Sequence, residues 1–138
     1  MTVMNKQILL ARRPNGAPVA GDFEMAETPL PDPGDGEFLA RTIYLSLDPY
    51  MRGRMNAERS YTTPVAIGAV MEGGTVSRVE ISNHPDYAAG ELVVGRTGWQ
   101  EYALSDGTGM RKLAADGVPV STALGVLGMP GMTAYAGL

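Results

Sequence analysis

Cysteine is absent from the 138 residues, and histidine occurs once, at His84. Without cysteine there is no disulfide framework and no thiolate metal site. Zinc needs three or four converging N, S or O ligands, so a catalytic zinc built on cysteine and histidine is excluded. A Ser-His-Asp triad would have to rest on His84, and no Gly-x-Ser-x-Gly elbow is present. His84 itself lies in Ser82-Asn83-His84-Pro85-Asp86-Tyr87, a turn-like segment, and reads as a loop residue. Basic residues are scarce as well: 11 Lys and Arg stand against 15 Asp and Glu, for a net charge of −4 and a pI near 4.9. That balance argues against a nucleic-acid face, which normally needs a basic stripe. No stretch approaches the ~20 apolar residues of a membrane span. The run Ile8-Leu9-Leu10-Ala11 is too short for a signal segment, and Pro14-Asn15-Gly16 follows Arg12-Arg13 where apolar residues should stand. A soluble, cytoplasmic protein is the expectation, with which the lack of cysteine is compatible.

What the chain has in quantity is turn chemistry. Gly 18 and Pro 10 favour short strands joined by turns, while 44% hydrophobic and 19% charged residues make the chain globular. The length suits one domain with its own core. Strand character is expected over Lys6–Arg12, Asp22–Thr28, Glu37–Leu47, Ile67–Glu80, Leu92–Arg96, Trp99–Leu104 and Met110–Leu113. Leu92–Arg96 and Trp99–Leu104 read as a tight pair around Thr97-Gly98, and Gly73-Gly74 as a bulge or barrel corner. About seven strands at roughly 8–12-residue spacing predict a mainly β barrel or sandwich. After Pro119 the character changes. Ser121-Thr122 would cap a short helix ended by Gly128-Met129-Pro130-Gly131, and a second helix would begin at Thr133. The glycines of 125–131 follow a helical pattern and include Pro130, so they read as a bend rather than a phosphate-cradling loop.

The chain is organised around Leu45-Ser46-Leu47-Asp48-Pro49-Tyr50-Met51-Arg52-Gly53-Arg54-Met55. An apolar strand ends at Asp48-Pro49, since proline offers no ladder N–H and restricts the residue before it. A tyrosine and two arginines then follow on a turn that Gly53 keeps flexible. Polar groups just past a strand, on a loop, are a common way to build a site on a rigid scaffold.

This stretch resembles the zinc-independent, NADPH-dependent branch of the medium-chain dehydrogenase/reductase superfamily. That branch includes leukotriene B4 12-hydroxydehydrogenase/prostaglandin reductases, plant double-bond reductases and bacterial curcumin-reductase-like proteins. The likeness continues in order through Ser60-Tyr61, Gly73-Gly74-Thr75-Val76-Ser77-Arg78-Val79, Gly98-Trp99-Gln100-Glu101-Tyr102 and Leu127-Gly128-Met129-Pro130-Gly131-Met132-Thr133-Ala134-Tyr135. It implies a GroES-like β-barrel over residues 1–120, the substrate domain, with 121–138 as a helical bridge into a nucleotide-binding (Rossmann) domain that would follow. It also implies reduction of the C=C bond of α,β-unsaturated ketones or aldehydes with NADPH, without zinc. A homodimer is expected at full length, and no activity from the barrel alone.

That chemistry needs the nicotinamide face held close to the alkene and a hydrogen bond to the carbonyl oxygen, where negative charge develops. Tyrosine hydroxyls suit the second task, because they donate while neutral and their rings line apolar pockets. Tyr50 and Tyr61 are the candidates, with half-buried packing as the alternative for each. Met132 and Thr133 match the family segment bordering the nicotinamide; helix capping and core packing are their alternative roles. Arg52 and Arg54 could bind an anion, but pinning the loop to neighbouring backbone is the preferred reading. Trp99 reads as barrel core. Two rival functions stay open: a stand-alone barrel serving as a binding or assembly module, and a zinc-free quinone oxidoreductase.

Overall fold

The computed structural model describes residues 3–58, 62–114 and 117–137. Seven strands form among these residues: β1 (Met4–Leu10), β2 (Phe23–Pro29), β3 (Phe38–Leu45), β4 (Thr75–Ser82), β5 (Leu92–Gly95), β6 (Tyr102–Ser105) and β7 (Arg111–Lys112). Two helices accompany them, α1 (Tyr50–Arg54) and α2 (Met129–Gly137), with 3-10 helices at Ala20–Asp22 and Val120–Leu124. The architecture is mainly antiparallel β, as the strand spacing predicts.

β1 pairs with β2 from Met4 opposite Pro29 to Leu10 opposite Phe23. The other sheet runs β6-β3-β4-β5-β7. β1 joins the two, because its free side bonds to segments leading into the larger sheet. Ile8 N–H donates to Trp99 C=O at 2.9 Å, and Glu101 N–H donates to Lys6 C=O at 3.0 Å. Farther along, Leu10 N–H donates to Ala69 C=O at 3.0 Å. A two-strand ribbon is marginal by itself, so these bonds are what hold β1 and β2 to the body.

The apolar residues close two clusters. Phe38, Ala40, Val79 and Val93 pack within the five-stranded sheet, with Tyr87 and Met110 against them. Leu10, Met55, Val65 and Met71 form the second under α1, with Phe23 and Trp99 at its margin. Trp99 therefore packs against the core, as expected, its ring 5.6 Å from that of Phe23. His84 lies in a turn against the rings of Phe38 and Tyr87, and its Nδ1 accepts the Asp86 N–H at 3.0 Å.

Several local expectations are corrected. β5 and β6 do not pair; β5 lies between β4 and β7, and β6 sits beyond β3. Residues 98–101 run along β1 instead of opening the β6 strand. β4 begins only at Thr75, after the two glycines, and the register shifts fall in β3, at Leu39/Ala40 and Thr42/Tyr44. Ser121 and Thr122 do not cap a helix: Thr122 Oγ1 donates back to Pro119 C=O at 2.6 Å. Pro130 opens α2 rather than ending a helix, since a first-turn proline loses no helical hydrogen bond. Thr133 is thereby moved into the body of α2.

Candidate active-site cleft

The approach to the cleft is made by the end of β3. Ser46 N–H donates to Gly74 C=O at 2.9 Å, and its Oγ donates to the Asp48 carboxylate at 2.7 Å. Pro49 then precedes Tyr50, the first residue of α1, so the stretch read as a flexible turn is a short helix. Met51 and Met55, four residues apart and each 3% exposed, anchor its inner face.

Three arginines brace this helix. Arg52 Nε donates to Gly16 C=O at 2.9 Å and Nη2 to Pro14 C=O at 3.1 Å, the backbone pinning expected of it. Arg13 returns the contact, donating to Met55 C=O at 3.0 Å and Val65 C=O at 2.6 Å. Arg54 departs from expectation. It grips a carboxylate rather than backbone, with Nε 2.9 Å from Glu72 Oε2.

Tyr50 is half-buried beneath Arg96, whose guanidinium carbon is 5.9 Å from the ring centre. Burial raises the hydroxyl above its ordinary pKa of 10.0, the Arg96 charge opposes that rise, and Asp48 adds to it. The hydroxyl is therefore a neutral donor throughout the physiological range.

α2 forms the facing wall. A cavity of about 750 Å³ lies between, bordered by Tyr50, Thr62 and Arg96 on one side and by Met129, Pro130 and Thr133 on the other. Positions 129, 130, 133 and 134 share one helical face, which Met132 does not. Met132 is 68% exposed and does not border the cavity. The structure thus brings Tyr50 and Thr133 together; Tyr61 lies outside the described residues. A recess of about 280 Å³ adjoins the cavity, sharing Tyr50, Arg96 and Met129 with it and adding Arg111. Arg96 has no signal in the sequence, because a lone charged residue at the end of a strand carries no periodicity. Among the described residues no group of three or more His, Cys, Asp or Glu could hold a metal ion, and no helix is long and apolar enough to cross a membrane.

Residues 6–113 match the family described as the N-terminal domain of oxidoreductase. The chain belongs to the medium-chain dehydrogenase/reductase family. Within that family it is 57% identical to the NADPH-dependent curcumin reductase of Escherichia coli over 97% of its own length and 39% of the relative's. It is 40% identical to prostaglandin reductase 1 of Rattus norvegicus, covering 99% of this chain and 40% of that one. Among solved structures, CurA from Vibrio vulnificus in complex with NADPH superposes with a TM-score of 0.90 at 54% identity, over 96% of this chain and 40% of that chain. The fold is accordingly the GroES-like domain of this family. The chain spans about two fifths of the length of these relatives.

Proposed function

We propose that this chain is the N-terminal domain of an NADPH-dependent oxidoreductase that reduces the C=C bond of α,β-unsaturated ketones and aldehydes. Residues 1–120 would form the substrate domain and 121–138 the bridge to a nucleotide-binding domain. The observation that carries the reading is the shared cavity of Tyr50 and Thr133, in a chain whose relatives include a curcumin reductase, a 2-alkenal reductase and prostaglandin reductases.

The cavity suits both the substrate and a nicotinamide ring. Met129, Pro130 and Ala134 give an apolar wall and Thr133 a hydroxyl, the mixture expected of a small-molecule site. NADPH, when bound, supplies the hydride. Tyr50 donates its O–H to the carbonyl oxygen, where negative charge gathers as the alkene is reduced. The Arg96 cation over the ring reinforces that donor. Thr133 and Met129 hold the reacting faces together and keep water out. Tyr61 is a second candidate donor on the strength of the family resemblance. The reading needs no zinc, since the donor set contains no cysteine and the single imidazole is engaged elsewhere by Asp86.

The deciding experiment supplies the full-length protein with NADPH and a panel of enones, enals and quinones. Saturated ketones or aldehydes identified by mass spectrometry are the expected products. Turnover of quinones alone would replace the reading with that of a quinone oxidoreductase. NADPH oxidation by the 138-residue chain alone would overturn the division of labour between the domains.

A further inference from the structure

An enone is uncharged, yet the recess beside the cavity is not. It presents two guanidinium groups, Arg96 and Arg111, against one carboxylate, Asp48. Asp48 already accepts the Ser46 hydroxyl at 2.7 Å. Among the described arginines Arg12, Arg13, Arg52 and Arg54 have side-chain hydrogen bonds, while Arg41, Arg78, Arg96 and Arg111 have neither these nor an ion pair; of those four, Arg96 and Arg111 line one recess. This excess of positive charge stands in a chain of net charge −4, and the proposed reaction does not account for it.

We propose that Arg96 and Arg111 form an anion subsite that selects unsaturated carbonyl substrates carrying a carboxylate remote from the alkene. The inference rests on the enone-reductase reading and names the substrate class. Tyr50 and Arg96 border both the cavity and the recess. A substrate whose carbonyl meets the Tyr50 hydroxyl can therefore send its tail along the Arg96 side toward Arg111. Guanidinium forks match carboxylate geometry and make charge-assisted bonds about twice as strong as neutral ones. Both arginines are exposed in the 138-residue chain, and the pairing of such charges weakens as salt rises. A phosphate of the cofactor is the other source of a matching anion.

The test uses the full-length protein with a medium-chain α,β-unsaturated aldehyde ending in a carboxylate, and with its methyl ester, alike at the alkene. The acid is expected to have the higher kcat/KM, through KM, with the advantage shrinking as salt is added. Arg111→Gln, which leaves the Tyr50 ring contact in place, and Arg96→Gln should each lower the acid-to-ester ratio about tenfold. Equal use of acid and ester by the unaltered protein overturns the proposal. So does a rise in KM for NADPH in the variants with the ratio intact, which assigns the anion to the cofactor. If neither compound is turned over, the enone reading falls, and calorimetry with the saturated acid reports on the subsite separately. Arginine-dependent binding of that acid supports the subsite, and binding indifferent to both substitutions overturns it.

Discussion

The side-chain amide of Asn5 takes the place of a strand neighbour for Tyr102. Its Oδ1 accepts the Tyr102 N–H at 3.0 Å, and its Nδ2 donates to the Tyr102 C=O at 3.0 Å. Asn5 is 4% exposed, so these bonds satisfy backbone groups at the start of β6. Replacing Asn5 with alanine leaves them without that partner. A loss of about 2 kcal/mol is expected, read as a lower urea midpoint with an unchanged slope. A midpoint equal to that of the unaltered protein would show that water replaces the amide at no cost.

Tyr50→Phe removes the proposed carbonyl donor and keeps the ring under Arg96. In the full-length enzyme kcat should fall about a hundredfold on enones, with a smaller effect on KM. Because burial raises the Tyr50 pKa above 10.0, its deprotonation should not limit the rate anywhere below that pH. Ionisation of Tyr50 in the neutral range, followed by its phenolate absorbance, would contradict the assignment.

Asp22 gives the fold an acid-sensitive contact. It is buried, and its carboxylate accepts Arg12 Nε at 2.7 Å and Val19 N–H at 2.8 Å, which hold its pKa below the ordinary 3.8. A depressed carboxylate stabilises the fold above its unfolded-state value, and the stabilisation is lost as pH falls through the folded value. Asp22→Asn should therefore melt lower than the parent at neutral pH. The gap should narrow below about pH 3.8; a gap constant down to strong acid would remove Asp22 from the acid response.

Two glycines with similar backbones should respond differently to alanine. Gly98 has φ +80°, and an added Cβ would stand 2.6 Å from the Met71 carbonyl oxygen; Gly16, at φ +78°, has open space around it. Gly16→Ala should cost about 1 kcal/mol, the left-handed backbone penalty alone. Gly98→Ala should cost at least twice that, because the backbone carrying Trp99 along β1 must also move. Equal losses in chemical denaturation would show that the clash is relieved for nothing.

Much of the fold was legible from local chemistry. The alternation in Phe23–Thr28, the apolar run before Asp48-Pro49 and the glycine and proline punctuation locate strands that form near the expected places. Pairing was less legible. Thr97-Gly98 has the look of a hairpin turn, but β5 and β6 find partners in β4 and β3, a choice made by distant residues. Asn5 is the clearest case, for nothing in Met4-Asn5-Lys6 announces a bond to a residue 97 positions away.

The site divides in the same way. Tyr50 stood out because it follows a strand stop, and Thr133 because of the family likeness of its segment. Pro130 opens α2 instead of stopping a helix, so Met132 stands inside the helix and away from the cavity, a placement that a helix beginning at Thr133 does not give. Arg96 is silent in the sequence, since its meaning comes from the ring of Tyr50, far back along the chain.

The bracing of α1 gives the cleft two jaws of unequal stiffness. Arg13 and Arg52 strap the Tyr50 side to loops far along the chain, whereas no residue of α2 is buried. Amide protons of Met51, Arg52 and Met55 should thus exchange with solvent more slowly than those of Met132 and Thr133. The Tyr50 jaw is the one held in shape. Within the 138 residues, then, the yielding falls to the α2 jaw, which Arg13 and Arg52 do not strap.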